Sequence, residues 1–218
     1  MVIRHPKDAI PSLFNLHWEH EHGLPNHSTR GPQSDWLKYR DNHKRKGHCN
    51  VECNILSFEK FVDYWMTKYE DRNNLHVVSY EDMTNAEIGP KTALSITKFL
   101  GQTEGVNPIP DENVPCVWET VINYKKHTGD GSHVGEDKYK KRKMLDAGKT
   151  HVDPASERSG PKIRPYTQKH LDHMLAMLER LKQRYGHDEE LAPILDGYIV
   201  TTKNTPVEEG LDDETSES

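Results

Sequence analysis

Apolar residues are scarce in this chain. The hydrophobic and aromatic types supply 33% of the 218 residues, and Phe occurs only four times; mean hydropathy is −0.92. No run approaches the roughly 18–20 apolar residues that a membrane-crossing helix needs, and the opening does not read as a secretory signal. Three cysteines are too few for a disulfide scaffold. Cys49 and Cys53 stand four apart, where a disulfide, a metal site and two ordinary thiols are all open, and Cys116 is remote. A basic excess is missing too. The net charge is −6, and six of the 35 acidic residues (Glu208, Glu209, Asp212, Asp213, Glu214 and Glu217) sit in a tail without Lys or Arg. That leaves 29 acidic against 29 basic residues elsewhere, which argues against a nucleic-acid-binding surface. The length fits one domain with a modest core and long polar insertions.

What is present starts at the first residues. Val2-Ile3 is a short β-branched run and Pro6 follows closely, the order of a buried strand turning into a helix with Pro in its first turn. Arg4 then stands at the carboxyl end of the strand, and Ser12 lies about two turns into the helix. A crevice beyond the carboxyl ends of parallel strands is where open α/β sheets take ligands. The helix start adds free N–H groups and a positive dipole end. An Arg fork and a Ser hydroxyl there would clamp a phosphate.

Further on, four histidines and two glutamates fall between His17 and His27; a solvated helix end accounts for them better than a metal site, because their spacing matches no standard ligand set. Asn26-His27-Ser28 is a glycosylation sequon, meaningful only in a secreted or lumenal protein. Gly31 to Cys53 reads as a polar insertion loop. Ser57 is the expected N-cap of an amphipathic helix carrying Phe58, Phe61, Val62, Trp65, Met66 and Tyr69. Leu75 to Tyr80 reads as a strand covered on both faces, and Pro90 to Leu100 as a helix stopped by Gly101. Cys116 to Asn123 is either helix or strand, followed by a basic loop, Tyr124 to Gly131. Thr167 caps the clearest helix, with Leu171, Met174, Leu175, Leu178, Leu181 and Tyr185 on one face. From about residue 204 no apolar period survives, as in a disordered acidic tail.

Two of these stretches carry a resemblance. Ile3-Arg4-His5-Pro6-Lys7-Asp8-Ala9-Ile10-Pro11-Ser12 resembles the 3′-phosphate-binding segment of sulfotransferases that use 3′-phosphoadenylyl sulfate (PAPS), with the Ser eight residues after the Arg. His5 stands where that family has Asn or Asp. A Trp-bearing helix, then Val77-Val78-Ser79-Tyr80-Glu81-Asp82-Met83, then a helix ending Lys98-Phe99-Leu100-Gly101, repeats the family's order. The resemblance covers about residues 1–186 and is closest to the carbohydrate type, including sulfotransferases fused to WSC domains. It implies an α/β, three-layer P-loop-NTPase-like fold with a parallel sheet, here N-terminally incomplete. Residues 187–203 would then be an extension and 204–218 a free tail.

The same resemblance implies PAPS as co-substrate, held by Arg4, Ser12 and Tyr80, with Lys125, Lys126 and Gly129 as a loose counterpart of the family's late basic loop. The acceptor would present a hydroxyl, as a glycan does. No membrane segment, metal or nucleic acid enters this reading. The family's loop for the 5′-phosphosulfate has no match in this sequence, and neither does a Gly-x-x-x-x-Gly-Lys-Ser/Thr motif. The catalytic base is therefore unknown, and the chain as given is expected to transfer no sulfuryl group. A non-catalytic binding protein of the same descent is the alternative.

Overall fold

The computed structural model describes residues 1–24, 30–41, 49–70, 73–127 and 166–207. Strand β1 (Val2–Ile3) passes through Arg4 and His5 into helix α1 (Pro6–Glu21), with Pro6 in the first turn as expected. Helix α2 (Gln33–Asp41) follows inside the stretch expected to be a polar loop. Its mean polarity hides an aromatic pair three residues apart: Trp36 has no exposure at all and Tyr39 is buried beside it. Helix α3 (Val51–Lys68) begins six residues before Ser57. Asn50 caps it, accepting a hydrogen bond from Cys53 N–H at 2.9 Å, and Asn is as good a cap as Ser. Ser57 instead donates from its hydroxyl to the Cys53 carbonyl.

The expected three-layer α/β fold is not found. The described residues are mostly helical, and the only sheet among them is a parallel pair, β1 with β2 (Val78–Ser79). The run expected to be a strand from Leu75 is shortened at both ends, to Val78–Ser79. Glu190 takes the Val77 N–H at 2.8 Å. Ser79 caps helix α4 (Tyr80–Thr84), its hydroxyl accepting from Asp82 N–H at 3.2 Å. A covered sheet needs several long apolar strands, and the described residues supply two short ones. Its remaining apolar residues recur at helical spacing and bury helix against helix.

The described chain divides into two units, each with its own packing. The first holds α1, α2, α3, α7 (Gln168–Tyr185) and α8 (Leu191–Lys203). Thr167 caps α7 as expected, and α7 packs on both α3 and α8. Trp36, Tyr166, Met174, Met177, Leu178, Leu181, Leu191 and Leu195 are fully buried in one core. Residues 187–203 therefore belong to this core rather than extending from it. The tail from residue 208 lies outside the described residues.

The second unit holds β2, α4, α5 (Gly89–Leu100) and α6 (Val114–His127). Trp118 on α6 donates its indole N–H to the Met83 carbonyl at 2.7 Å. A Cβ at Gly89 would lie 2.5 Å from that indole, so only glycine lets α5 and α6 meet this closely. Gly101 ends α5, as expected, and does so in a right-handed conformation with φ −65.

Two groups in the first unit make its stability pH-dependent. Glu59 on α3 accepts both forks of Arg180 at 3.0 and 2.7 Å and Arg184 at 2.6 Å, which holds its carboxyl below the ordinary range. His170 on α7 is buried, and burial, aided by Arg40, pushes its imidazole down to about 4. Both shifts act in one direction. An unfolded His170 binds a proton below about pH 6.5 that the folded one refuses, and an unfolded Glu59 binds one below about pH 4.5. Stability is thus complete above the unfolded values and is lost as pH falls toward the folded ones. We expect the thermal midpoint to fall steadily from about pH 7 to pH 4, at up to about 1.4 kcal/mol per pH unit per proton. Scanning calorimetry across that range checks it, and His170→Gln should flatten the slope between about pH 6.5 and 4.5.

Candidate functional site

The β1–α1 turn is built around His5. Only 2% of this side chain is exposed, and it caps α1: Nδ1 accepts from Lys7 N–H at 3.0 Å. An acceptor Nδ1 carries no proton, so in the neutral ring Nε2 carries it. Nε2 then donates to the Tyr198 carbonyl on α8 at 3.0 Å, and the two rings meet at 4.6 Å. Tyr198 returns the link by donating its hydroxyl to the Ile3 carbonyl at 3.2 Å. Tyr166, 1% exposed, donates to the Lys7 carbonyl at 3.0 Å. Burial holds its hydroxyl far above the usual tyrosine range, so it stays a donor.

This arrangement alters what the turn offers an anion. The first helical N–H groups are not open: Pro6 has none, Lys7 gives its own to His5 Nδ1, and Asp8 gives its own to the His5 carbonyl at 2.9 Å. An anion here must rely on side chains. Arg4 stands half-buried between β1 and α1, and Ser12 is half-buried in α1. A rise of about 1.5 Å per residue places Ser12 about 9 Å along the axis from Pro6, a gap that one long Arg side chain and one phosphate can span.

The other expected residues are carried by other elements. Tyr80 belongs to the second unit, where it is the first residue of α4 rather than a strand end, with 38% of its surface exposed. Lys125 and Lys126 fall in the last turn of α6 instead of a loop; their side chains, Gly129 and the basic run at 138–143 lie outside what is described. So Arg4 and Ser12 share one strand–helix segment, and the rest of the expected set is not part of it.

The second half of α1 lines a cleft of about 510 Å³ with α2 and the start of α3, a volume within the usual range for small-molecule sites. His17, Trp18, Glu21, Asp35, Lys38 and Cys49 are among its walls. Trp18 donates its indole N–H to Asp35 Oδ2 at 3.2 Å, and His22 stacks on the indole at 4.1 Å. Gly31 lets its segment lie against α1: a Cβ there would come within 2.8 Å of the Phe14 ring. Its N–H donates to Asn15 Oδ1. Cys49 and Cys53 are joined as a disulfide, whereas Cys116 is exposed and free. Among the described residues no group of three His, Cys, Asp or Glu side chains is placed to hold a metal ion, and no helix is long and apolar enough to cross a membrane.

The cleft was not foreseen from sequence, and its signal is faint. Trp18 and Tyr39, with Gly31 between them, are the trace it leaves. His5 had a clearer signal, since an acceptor side chain directly before Pro at the first helical position is the place of an N-cap. Compared with protein-family models, curated proteins and solved structures, the chain matches nothing.

The double role of His5 can be separated by substitution. His5→Ala removes the cap and leaves the buried Tyr198 carbonyl one donor short, which should cost about 2–4 kcal/mol. His5→Asn restores the cap acceptor but is too short to reach Tyr198, and should cost about half as much. Urea unfolding of both variants checks the order; equal losses would mean that the cap contributes nothing.

Proposed function

We propose that this chain binds the 3′-phosphate side of PAPS and serves sulfuryl transfer to an acceptor hydroxyl, a glycan being the acceptor that the resemblance favours. One observation carries the reading: a strand ends at Ile3, Arg4 and the capping His5 follow, and Ser12 sits about two turns into the helix that starts at Pro6. The cap at His5 takes the place of the Asn or Asp in the resembling segment and performs the capping that either residue would perform. Arg4 supplies a charged fork and Ser12 a hydroxyl donor, the two kinds of group that a terminal phosphate takes. The occupied helix amides narrow the site to these side chains. Tyr80, Lys125 and Lys126 enter only through the resemblance.

In-line sulfuryl transfer needs a base on the acceptor hydroxyl and cationic groups on the leaving phosphate. Nothing in this sequence matches the loop that grips the 5′-phosphosulfate. We therefore assign this chain the nucleotide's 3′ end and expect no transfer from it alone. The second reading, a non-catalytic binder, shares the same nucleotide site and differs only in the fate of the sulfuryl group.

Isothermal titration with 3′-phosphoadenosine 5′-phosphate, and with adenosine 5′-phosphate as control, tests the site. Binding should require the 3′-phosphate. Arg4→Ala should weaken it by about 1.5–3 kcal/mol, or roughly 10- to 150-fold, and Ser12→Ala by about 0.5–1.5 kcal/mol. Equal affinity for the two nucleotides, or an Arg4→Ala variant that folds and binds like the parent, would remove Arg4 and Ser12 from any such site.

A further inference from the structure

Two sulfur atoms stand where the cleft meets α3, and nucleotide binding makes no use of them. Cys49 lines the cleft just before the Asn50 cap, Cys53 sits in the first turn of the helix, and their Cα atoms are 5.1 Å apart, an ordinary spacing for a disulfide. The bond is not what holds this helix start. Asn50 already caps it, and the Asn54 amide nitrogen shares its two N–H groups among three acceptors, Tyr39 Oη at 2.8 Å, the Cys49 carbonyl at 2.9 Å and the Asn50 carbonyl at 2.8 Å. A bridge closing so short a loop also removes little freedom from the unfolded chain. A bond that adds little to the fold and opens onto a cleft suits chemistry better than stapling.

We propose that Cys49 and Cys53 form a reversible thiol–disulfide couple on the cleft wall that exchanges with thiols of the glutathione class. In the reducing direction a glutathione thiolate attacks Cys49 Sγ. The S–S bond breaks, and its electron pair leaves on Cys53 as a thiolate. Cys49 is the sulfur attacked because it lies outside the helix and faces the cleft. Cys53 is the leaving group because it lies in the first turn, where the positive end of the helix dipole favours its charge. A second glutathione thiolate then attacks the mixed disulfide, freeing Cys49 and releasing glutathione disulfide. Two electrons and two protons reach the cysteine pair, and two glutathione molecules become one disulfide. Glutathione disulfide drives the same steps in reverse.

The test uses the full chain carrying Cys116→Ser, so that only this pair can react. Samples equilibrated in glutathione buffers from fully reduced to fully oxidised are quenched in acid, alkylated and read by mass spectrometry over the peptide that holds both cysteines. The pair should pass from dithiol to disulfide and back within that range, with melting temperatures of the two forms within about 5 °C of each other. In single variants, Cys53→Ser should collect glutathione on Cys49 about tenfold faster than Cys49→Ser collects it on Cys53. A disulfide that survives fully reduced glutathione, or a fold that loses cooperative unfolding on reduction, marks a structural staple and overturns the proposal. Two thiols that never join in oxidised glutathione overturn it as well, and equal adduct rates overturn the assignment of Cys49 as the attacked sulfur.

Discussion

A buried imidazole joins the beginning of the chain to its last described helix. His5 receives the Lys7 N–H on one ring nitrogen and gives its own N–H to the Tyr198 carbonyl with the other. Thr202 closes the group, donating to the same carbonyl at 2.8 Å while its hydroxyl lies 3.3 Å from His5 Nε2. Each bond fixes the tautomer that the other needs, so neither can change alone. The direction of α1 depends on this pair of bonds, and with it the positions of Arg4 and Ser12. So does the seat of α8, whose Leu191 and Leu195 complete the core around Met174, Met177 and Leu178.

A second constraint works in the same unit. Glu190, just before α8, binds the His76 ring at 2.5 Å and the Val77 N–H at 2.8 Å. The terminal ammonium of Met1 in turn donates to the His76 carbonyl. These contacts hold the segment entering β2 by side chains and a terminus, where a longer strand would use a ladder. Loss of the sheet that the sequence suggested is thus compensated by polar contacts made one at a time. The acidic cluster Glu59 and Asp63 does the same for α3 against α7, through Arg180, Arg184 and Tyr185.

Local signals were legible wherever one residue decides the outcome. Pro6 and Thr167 mark their helix starts because capping chemistry is short-ranged. The Leu and Met stripe from Leu171 to Leu181 marks a buried face because six residues agree on one period. The fold class was not legible. Leu75 to Tyr80 has strand composition, yet its conformation was settled by Ser79, which caps a helix, and by Glu190, more than a hundred residues away; no window around Val77 contains that partner. Helix α2 escaped because Trp36 and Tyr39 are outnumbered by polar neighbours, although two large rings suffice to bury a nine-residue helix. Of the expected site, Arg4 and Ser12 share a segment because both are set by sequence spacing along one strand–helix turn and the helix that follows it. Tyr80 and Lys125 are carried by α4 and α6, and local sequence spacing says nothing of where such elements stand relative to Arg4.

The proposed anion site is made by side chains at a turn whose helix amides are already used. A crystal structure of the chain grown with 3′-phosphoadenosine 5′-phosphate examines this directly. The 3′-phosphate should lie within hydrogen-bond distance of the Arg4 guanidinium and the Ser12 hydroxyl, with His5 still bonded to Lys7 N–H and the Tyr198 carbonyl. A phosphate resting on the Lys7 and Asp8 amides with the imidazole displaced, or a nucleotide bound away from this turn, would contradict it.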